Sequence, residues 1–350
     1  MIKFAALALV AGIGLAVPVM AADAAVIVMY HRFGESVHPS TNIRIKQFEA
    51  HLEELAKPKY TVLPLPEIIA KLKARKPLPD RTVGISIDDA FLSVYREAFP
   101  RLQKAGLPFT LFVATEPVDQ DIGSYMSWDQ IRELHTAGVT IGSQTHSHLH
   151  MARSSDEQNR SELEKSNARF KAELGTTPNI IAYPYGEYSL AVGQLSKEAG
   201  LKTGFGQHSG VVHPDSDMLY LPRFAMNENF GDIERFKLVV NALPLRVADV
   251  SPADPLLSPD NNPPILGFTV KGPATTKLSR LACYASGRGK ALMERLGPRV
   301  EVRLHKAFPP GRIRINCTMP AGHGRWRWYG LQFYVPSGGL TLPRPRAEEN

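Results

Sequence analysis

The 350-residue sequence has only two cysteines and lacks the short motifs that identify several large enzyme classes. It contains no Gly-x-Ser-x-Gly element, no His-Glu-x-x-His element, no P-loop and no Rossmann glycine pattern. These absences argue against an esterase of the nucleophile-elbow type, a zincin protease, a P-loop nucleotidase and a dinucleotide-dependent dehydrogenase. Any catalytic chemistry must therefore come from another arrangement of residues.

The N-terminus has the features of a secretory signal. A lone Lys3 precedes an apolar run that ends near Val17, and small residues follow around Ala21 to Ala25. No stop-transfer segment follows, so we predict a signal peptide over residues 1–24 and an exported protein, periplasmic or secreted. A membrane anchor is the alternative. In an exported chain the two cysteines, Cys283 and Cys317, are predicted to pair and to tie down only the C-terminal part.

Positive charge is concentrated near the C-terminus. The net charge is +7, yet residues 271–350 carry fifteen Lys and Arg against four Asp and Glu, which leaves residues 1–270 slightly acidic. A basic C-terminal surface could attract anionic envelope glycans or lipid headgroups, or it could simply aid solubility. Nucleic acid is not an expected partner of an exported chain.

Between residues 25 and 243, strand and helix patterns alternate. The helical segments are predicted at 47–57, 66–75, 93–105, 128–137, 154–174, 189–199 and 232–241. This alternation predicts an α/β fold of parallel βαβ units, and the number of units favours a barrel over a short open sheet.

The remaining chain has a different composition. Residues 244–264 are rich in Pro, Asp, Ser and Asn, which is typical of a linker. Residues 265–343 then alternate apolar with polar positions, which predicts a small β-sandwich, and residues 344–350 form a tail. The run Trp326-Arg327-Trp328-Tyr329 could stack on sugars or pack in the core.

The most informative stretch is His146-Ser147-His148-Leu149-His150, which follows a short apolar run. In a helical turn His146 and His150 would share one face, whereas in a continued strand all three histidines would align. Two imidazoles need at least one more ligand to form a catalytic metal site with an open position. The candidate is the strand that ends in Asp88 and Asp89. We expect these two side chains to diverge, with Asp89 binding an ion and Asp88 facing the substrate.

Three motifs together resemble the polysaccharide deacetylases of carbohydrate esterase family 4, the NodB homology family. Ser86-Ile87-Asp88-Asp89 resembles the family's Thr-Phe-Asp-Asp, the histidine stretch matches His-Ser/Thr-x-x-His, and Ala182-Tyr183-Pro184-Tyr185-Gly186 resembles Arg-x-Pro-Tyr-Gly. The resemblance covers roughly residues 25–240. It implies a distorted (β/α) barrel, Asp88 as general base, a divalent metal held by Asp89, His146 and His150, and the backbone N–H of Tyr185 near the oxyanion.

The chain departs from the family pattern in two places. Ala182 stands where the family has an arginine that positions the catalytic aspartate, and a late Leu-x-His motif is not evident. The chain also resembles the branch of exported poly-β-1,6-N-acetylglucosamine deacetylases, in which a histidine on the N-terminal strand is the acid. We therefore assign the acid to His31, with His208 as the fallback. Arg223 could replace the missing arginine, where a surface ion pair is the alternative, and we place it with Tyr185 and Trp128 among the substrate-binding residues.

The expected function is metal-dependent removal of N-acetyl groups from an envelope or extracellular polysaccharide, with zinc as the expected ion. Three alternatives stay open at this point. The first is an O-acetyl esterase that uses the same site, and the second is a catalytically idle carbohydrate-binding protein. The third is a structural role in polymer export.

Overall fold

A nine-stranded, largely parallel sheet forms the centre of the N-terminal part of the molecule. The computed structural model describes residues 21–337. Neighbouring strands along the main path are Thr203–Phe205, Ile180–Ala182, Thr140–Ser143, Thr110–Val113, Thr82–Ile87, Ala25–Tyr30 and Val211–Val212, with Phe224–Ala225 beside Ala25–Tyr30 and Thr61–Val62 beside Thr82–Ile87. Two further pairs of short strands are Ala21–Ala22 with Leu78–Pro79 and Arg32–Phe33 with Asn42–Ile43.

The two central strands are apolar because both of their faces are covered. Every residue of Ala25–Tyr30 and of Thr82–Ile87 is buried, as expected for parallel strands with helices on the sheet faces. These strands run parallel, and Tyr30 pairs with Ile87 at their carboxyl ends. The residues that follow them therefore emerge side by side at one edge of the sheet.

Helices alternate with these strands as the sequence predicts. They are Ile45–Leu55, Leu65–Lys73, Phe99–Lys104, Thr115–Asp119, Trp128–Thr136, Asp156–Leu174, Leu190–Glu198 and Ile233–Val240, and a π-helical segment Val94–Ala98 precedes the third of them. Side chains of Ser127, Ser155, Ser189 and Asp232 accept hydrogen bonds from the first turns of four of the helices. Only the short helix Thr115–Asp119 is absent from the predicted set.

The sheet is curled like an incomplete barrel. Phe205 on one edge strand forms a parallel bridge with Leu221, and three residues later Phe224 pairs with Val28 of a central strand. The segment 221–225 therefore spans the gap between the far edge of the sheet and its middle. The predicted mixed α/β architecture is confirmed, and this spanning segment has a direct role in the site.

Two smaller sheets make up the C-terminal part. One contains Leu243–Pro244, Arg325–Val335, Gly311–Gly322, Ala282–Ala285 and Gly289–Lys290, and the other contains Val247–Ser251, Leu266–Val270, Arg299–Arg303 and Leu292–Leu296. Apolar residues of both sheets share one core. Cys283 and Cys317 face each other on adjacent strands and form a disulfide with an S–S distance of 2.01 Å, so the predicted pairing is confirmed.

The segment predicted as a linker has regular structure. Residues 247–251 form an edge strand of the four-stranded sheet, and 259–261 form a single helical turn. Prolines flank this strand rather than interrupt it, which an edge position tolerates. The linker prediction for residues 244–264 is therefore corrected.

Two of the predicted segments fall at the chain ends. The predicted tail at 344–350 and nearly all of the predicted signal peptide at 1–24 lie outside the described residues. Within residues 21–337, no helix is both long enough and apolar enough to cross a bilayer.

Candidate active site

The candidate site lies at the carboxyl ends of the parallel strands, where His31 and Asp88 each follow a central strand directly. The backbone N–H of Asp88 donates to the Tyr30 carbonyl at 2.9 Å, which continues the pairing by one residue. The strands Thr140–Ser143 and Ile180–Ala182 end at the same edge. The histidine stretch and the Tyr185 turn therefore converge on the aspartates, as expected for an open α/β sheet.

Asp88 is held by a buried arginine. Nη1 and Nη2 of Arg223 donate to the two carboxylate oxygens of Asp88 at 2.6 and 2.8 Å, and both side chains are completely buried. The Arg223 Nε donates to the Gly206 carbonyl at 2.9 Å, which fixes the orientation of the guanidinium. This two-pronged geometry fits a carboxylate as a lysine could not.

The grouping of Arg223 with the substrate-binding residues is corrected by this geometry. All three nitrogens of the Arg223 guanidinium already donate, two to Asp88 and one to the Gly206 carbonyl, so their role in the structure is to hold Asp88. The other suggestion, that Arg223 takes the place of the arginine missing at Ala182, matches the contact that the structure contains.

His31 lies beside the same carboxylate. Its Nε2 is 3.9 Å from Asp88 Oδ2, and its side chain is 12% exposed, so the ring is within reach of a bound molecule. His208, the fallback acid, lies instead in a cavity of about 300 Å³ between the two parts of the protein, against the Tyr220 ring. Burial lowers the pKa of His208 to about 3, with the Arg223 charge as a second cause. Because His208 is neutral over the physiological pH range, it is a poor proton donor. The position of His31 beside Asp88 makes it the better candidate for the acid.

The side chains of Asp88 and Asp89 diverge as expected, but the cause is not the alternation of side chains along a strand. The strand ends at Ile87, and Asp89 has a left-handed backbone with φ of 75°. Its backbone N–H donates to Gln144 Oε1 at 2.8 Å, while its Oδ1 lies 3.4 Å from His148 Nε2. Burial raises the pKa of Asp89, but the His148 and His31 imidazoles outweigh burial and lower it to about 2.

The two histidines predicted to join Asp89 make hydrogen-bond contacts with other residues through their Nδ1 atoms. His146 Nδ1 lies 2.8 Å from the Thr115 hydroxyl, and its Nε2 is 4.0 Å from a Glu116 oxygen. His150 Nδ1 lies 2.8 Å from Glu187 Oε2. His148 is the histidine whose Nε2 lies 3.4 Å from the Asp89 carboxylate. The contacts of His146 and His150 use Nδ1 and leave Nε2 available, so the predicted ligand set stays a prediction.

Backbone conformation explains this difference. The prediction assumed either a helical turn or a continued strand, and the segment 144–150 is neither. Thr145 and His148 both have left-handed backbones, with φ of 68° and 59°, so neither periodicity applies. The carboxylate of Glu162 accepts hydrogen bonds from the backbone N–H groups of His146 and Ser147 at 3.1 and 2.7 Å, which fixes the irregular path.

Gln144, His148, Glu162 and Glu187 were missed by the sequence reasoning. One signal could have identified Gln144. It is the first residue after the strand Thr140–Ser143, the same position that Asp88 occupies after its own strand. His148 depends on the irregular loop and Glu162 on the helix Asp156–Leu174, for which the sequence has no comparable signal, and Glu187 directly follows the Tyr185 turn.

A divalent cation fits the Asp89–His148 pair. Asp89 Oδ1 is a buried carboxylate oxygen without a hydrogen-bond partner among the described residues. Two ligands at the usual zinc distances and a tetrahedral angle are about 3.4 Å apart, which is the separation of Asp89 Oδ1 and His148 Nε2. The Gln144 amide lies next to this pair. Across residues 21–337, however, no cluster of three or more His, Cys, Asp or Glu side chains forms a metal site.

The Tyr185 turn forms one wall of the site. Pro184–Gly186 is a single helical turn in which Tyr185 has φ of 59°. The Tyr185 ring stacks on His150 with centroids 3.8 Å apart and meets the edge of His148 at 4.6 Å. The Tyr185 ring therefore lies against the histidine stretch, and its predicted role near the oxyanion stays a prediction.

Trp128 does not line the groove. Its side chain is buried, its Nε1 donates to Asp119 at 2.7 Å, and its ring packs edge-on against Phe170. The position of Trp128 at the start of a helix places it in the core beneath the sheet, so the predicted substrate contact is corrected.

The fold and this site define a class of hydrolases that act on carbon–nitrogen bonds other than peptide bonds. Residues 75–204 match the family model described as polysaccharide deacetylase. The chain therefore carries a polysaccharide deacetylase domain.

Three similar proteins illustrate the relationship. The poly-beta-1,6-N-acetyl-D-glucosamine N-deacetylase of Staphylococcus aureus (strain MSSA476) is 29% identical over 198 residues, covering 52% of this chain and 67% of that protein. The solved structure of IcaB from Ammonifex degensii is 26% identical with a TM-score of 0.56, covering 63% of this chain and 98% of that one. The Streptococcus pyogenes deacetylase PplD in complex with acetate, 21% identical with a TM-score of 0.58, covers 62% of this chain and 98% of that chain and shares the fold.

Proposed function

We propose that this protein removes N-acetyl groups from an exported polysaccharide of N-acetylhexosamine. The observation that carries the proposal is the pairing of two aspartates with different partners. The buried Arg223 fixes the Asp88 carboxylate, and His31 lies beside it. The Oδ1 atom of Asp89 faces the His148 imidazole. The 29% identity with a poly-beta-1,6-N-acetyl-D-glucosamine N-deacetylase supports an N-acetylglucosamine polymer as the substrate.

Asp88 acts as the general base. Both of its oxygens accept from Arg223, and each keeps a second lone pair for a water molecule. Because the guanidinium fixes the carboxylate plane, the base is oriented before substrate binds. His31 is the proposed acid that protonates the departing amine, and its position 3.9 Å from the same carboxylate supports this role. The backbone N–H of Tyr185 is the proposed donor to the developing oxyanion.

Asp89 and His148 are the proposed ligands of a divalent cation, most simply zinc, with Gln144 Oε1 as a weaker third donor. A bound divalent cation supplies Lewis acidity, which polarises an amide carbonyl and makes a water molecule more acidic. Gln144 also holds Asp89 in place, because its Oε1 accepts a hydrogen bond from the Asp89 backbone N–H. His146 and His150 remain the ligands that the family resemblance implies, since their contacts with Thr115 and Glu187 use Nδ1 and leave Nε2 available.

Export and an accessory role for the C-terminal part are also proposals. The N-terminal sequence pattern supports export to the periplasm or beyond. The two C-terminal sheets with their shared core support a β-sandwich accessory domain, and the basic composition of residues 271–350 supports contact with an anionic envelope surface.

The test is acetate release by the purified protein from β-1,6- and β-1,4-linked N-acetylglucosamine oligomers, with zinc and with chelator. We expect chelator-sensitive release. Asp88→Asn should still bind the cation but lose on the order of 10²- to 10⁴-fold in rate. Activity retained in Asp88→Asn would refute the assignment of the base.

A second candidate function is carbohydrate binding without turnover. The observation that favours this binding function is that the Gln144 amide lies beside Asp89. An amide is a weaker metal ligand than His, Cys, Asp or Glu, and within residues 21–337 no three of those side chains form a metal site. The same assay separates the two functions. Oligomer binding without acetate release, at zinc concentrations that saturate the protein, would support the binding protein.

A further inference from the structure

The C-terminal part contacts the candidate active site through one hairpin, formed by the strands Gly311–Gly322 and Arg325–Val335. Gln332 on the second strand is 2% exposed, and its Nε2 donates to the carbonyls of Gly186 and Tyr185 at 2.8 and 3.2 Å. Its Oε1 in turn accepts from Arg314 Nε at 3.1 Å. The Gln332 amide is therefore held at one end by its own hairpin and directed at the Tyr185 turn at the other.

Arg312 makes a second set of contacts with the same turn. Its Nη1 donates to the Tyr185 carbonyl at 3.3 Å, and its guanidinium carbon lies 5.6 Å from the centre of the Tyr185 ring. Its Nε is 4.0 Å from an oxygen of Glu187, the residue whose other oxygen lies 2.8 Å from His150 Nδ1. The hairpin thus contacts the backbone, the ring and the acidic neighbour of the turn.

The turn needs such support because its backbone is unfavourable. Tyr185 has φ of 59° in a non-glycine residue, a conformation that carries a cost and persists only where the surroundings impose it. The turn also presents two carbonyls to a buried environment, where unpaired oxygens are destabilising. The Tyr185 carbonyl accepts from Arg312 and Gln332 of the hairpin, and the Gly186 carbonyl accepts from Gln332 and from the Tyr220 hydroxyl at 3.0 Å.

From these contacts we infer that Gln332 and Arg312 are positioning residues of the active site, so that the C-terminal part completes the catalytic unit by fixing the Tyr185 turn. The inference rests on the proposed deacetylase function for its effect on turnover. The residues matched by the family model end at 204, so the hairpin is a contribution of this chain outside the matched region. Neither side chain is assigned a contact with the substrate.

The experiment compares Gln332→Met and Arg312→Met with the full-length protein. Both changes keep most of the side-chain length and remove the hydrogen-bond donors. The control is Asn316→Ala in the same hairpin, which removes the acceptor for Trp328 Nε1 at 2.9 Å without touching the turn. Thermal unfolding of all variants shows how much stability each change removes.

The first measurement is hydrogen exchange by mass spectrometry on peptides that span residues 183–188. Gly186 and Glu187 donate their backbone N–H groups to Tyr183 and Pro184 inside the turn, so they report its order. We expect exchange about tenfold faster in Gln332→Met than in the wild type or in Asn316→Ala, which corresponds to the loss of one or two hydrogen bonds. Unchanged exchange would overturn the inference, whatever the activity.

The second measurement is acetate release. We expect kcat to fall by about 10- to 100-fold in Gln332→Met with little change in KM, because a small displacement of a positioning element slows the chemical step. Faster exchange with an unchanged kcat would also overturn the inference. If the wild-type protein releases no acetate, the proposed function fails by itself, and hydrogen exchange alone decides whether the hairpin orders the turn.

Discussion

Replacement of Arg223 by methionine is the perturbation whose effect follows most directly from the structure. The substitution keeps an unbranched apolar chain between the rings of Phe112 and Phe205, which lie 5.4 and 5.8 Å from the guanidinium carbon. It removes both donors to Asp88, whose side chain has no exposed surface. The main consequence is thus an unpaired buried carboxylate and not a cavity.

Breaking a buried pair by removing one partner typically costs about 3–5 kcal/mol, because the remaining charge stays desolvated. Since whole domains are stable by only about 5–15 kcal/mol, we expect Arg223→Met to lose a large part of the free energy of unfolding. Arg223→Lys should retain part of that free energy, because an ammonium neutralises the charge but cannot bind both oxygens.

Equilibrium urea unfolding followed by tryptophan fluorescence measures these differences. The matched control is Arg160→Met, which breaks an exposed pair with Glu198 and should cost no more than about 1 kcal/mol. A double variant, Arg223→Met with Asp88→Leu, removes both charges and should recover much of the lost stability. A loss below about 1 kcal/mol in Arg223→Met would refute the reasoning, and so would a double variant no more stable than the single one.

Three further predictions concern other parts of the molecule. Gln144→His should tighten zinc binding by roughly tenfold or more in a calorimetric titration, because even supporting groups change metal affinity by 10- to 100-fold; unchanged affinity would remove position 144 from the site. Replacement of both Cys283 and Cys317 by serine removes the disulfide, which closes a loop with a sequence separation of 34. It should lower the free energy of unfolding by about 4 kcal/mol in non-reducing urea titrations. Burial raises the pKa of Glu54, but hydrogen bonds from two lysines and a tyrosine outweigh it and lower the pKa from 4.5 to about 2. The Glu54 carboxylate therefore stabilises the fold above pH 4.5 and loses this effect as the pH falls towards 2, so Glu54→Gln should be less stable than the wild type at pH 7 and equally stable near pH 2.

The order of strands and helices could be predicted from the sequence because each element carries its own pattern. Fully apolar runs such as Ala25–Tyr30 and amphipathic runs such as Ile45–Leu55 need no knowledge of distant residues. The strand patterns also predicted that His31 and Asp88 follow the ends of two strands, and in the structure they do. These positions depend only on where a strand stops.

The choice among the three histidines could not be made in the same way. It depends on two left-handed residues, Thr145 and His148, and on the Glu162 carboxylate, which fixes the loop from a separate helix. Neither residue is a glycine, so the sequence carries no mark of the positive φ. Trp128 was misplaced for a related reason, because an aromatic residue beside a helix start is equally compatible with a groove and with the core.

The two departures from the family pattern have different consequences in this fold. At position 182 the chain lacks an arginine, yet the segment that bridges Phe205 through Leu221 and pairs with Val28 through Phe224 carries Arg223 to the same carboxylate. An arginine that positions Asp88 can come from any neighbouring strand, because only the location of its guanidinium matters. A metal ligand has less freedom, since its donor atom must face the ion at a short distance, and within residues 21–337 no three His, Cys, Asp or Glu side chains converge on one point. The arginine is therefore replaced in space, whereas residues 21–337 bring no third strong ligand to Asp89 and His148 in this structure.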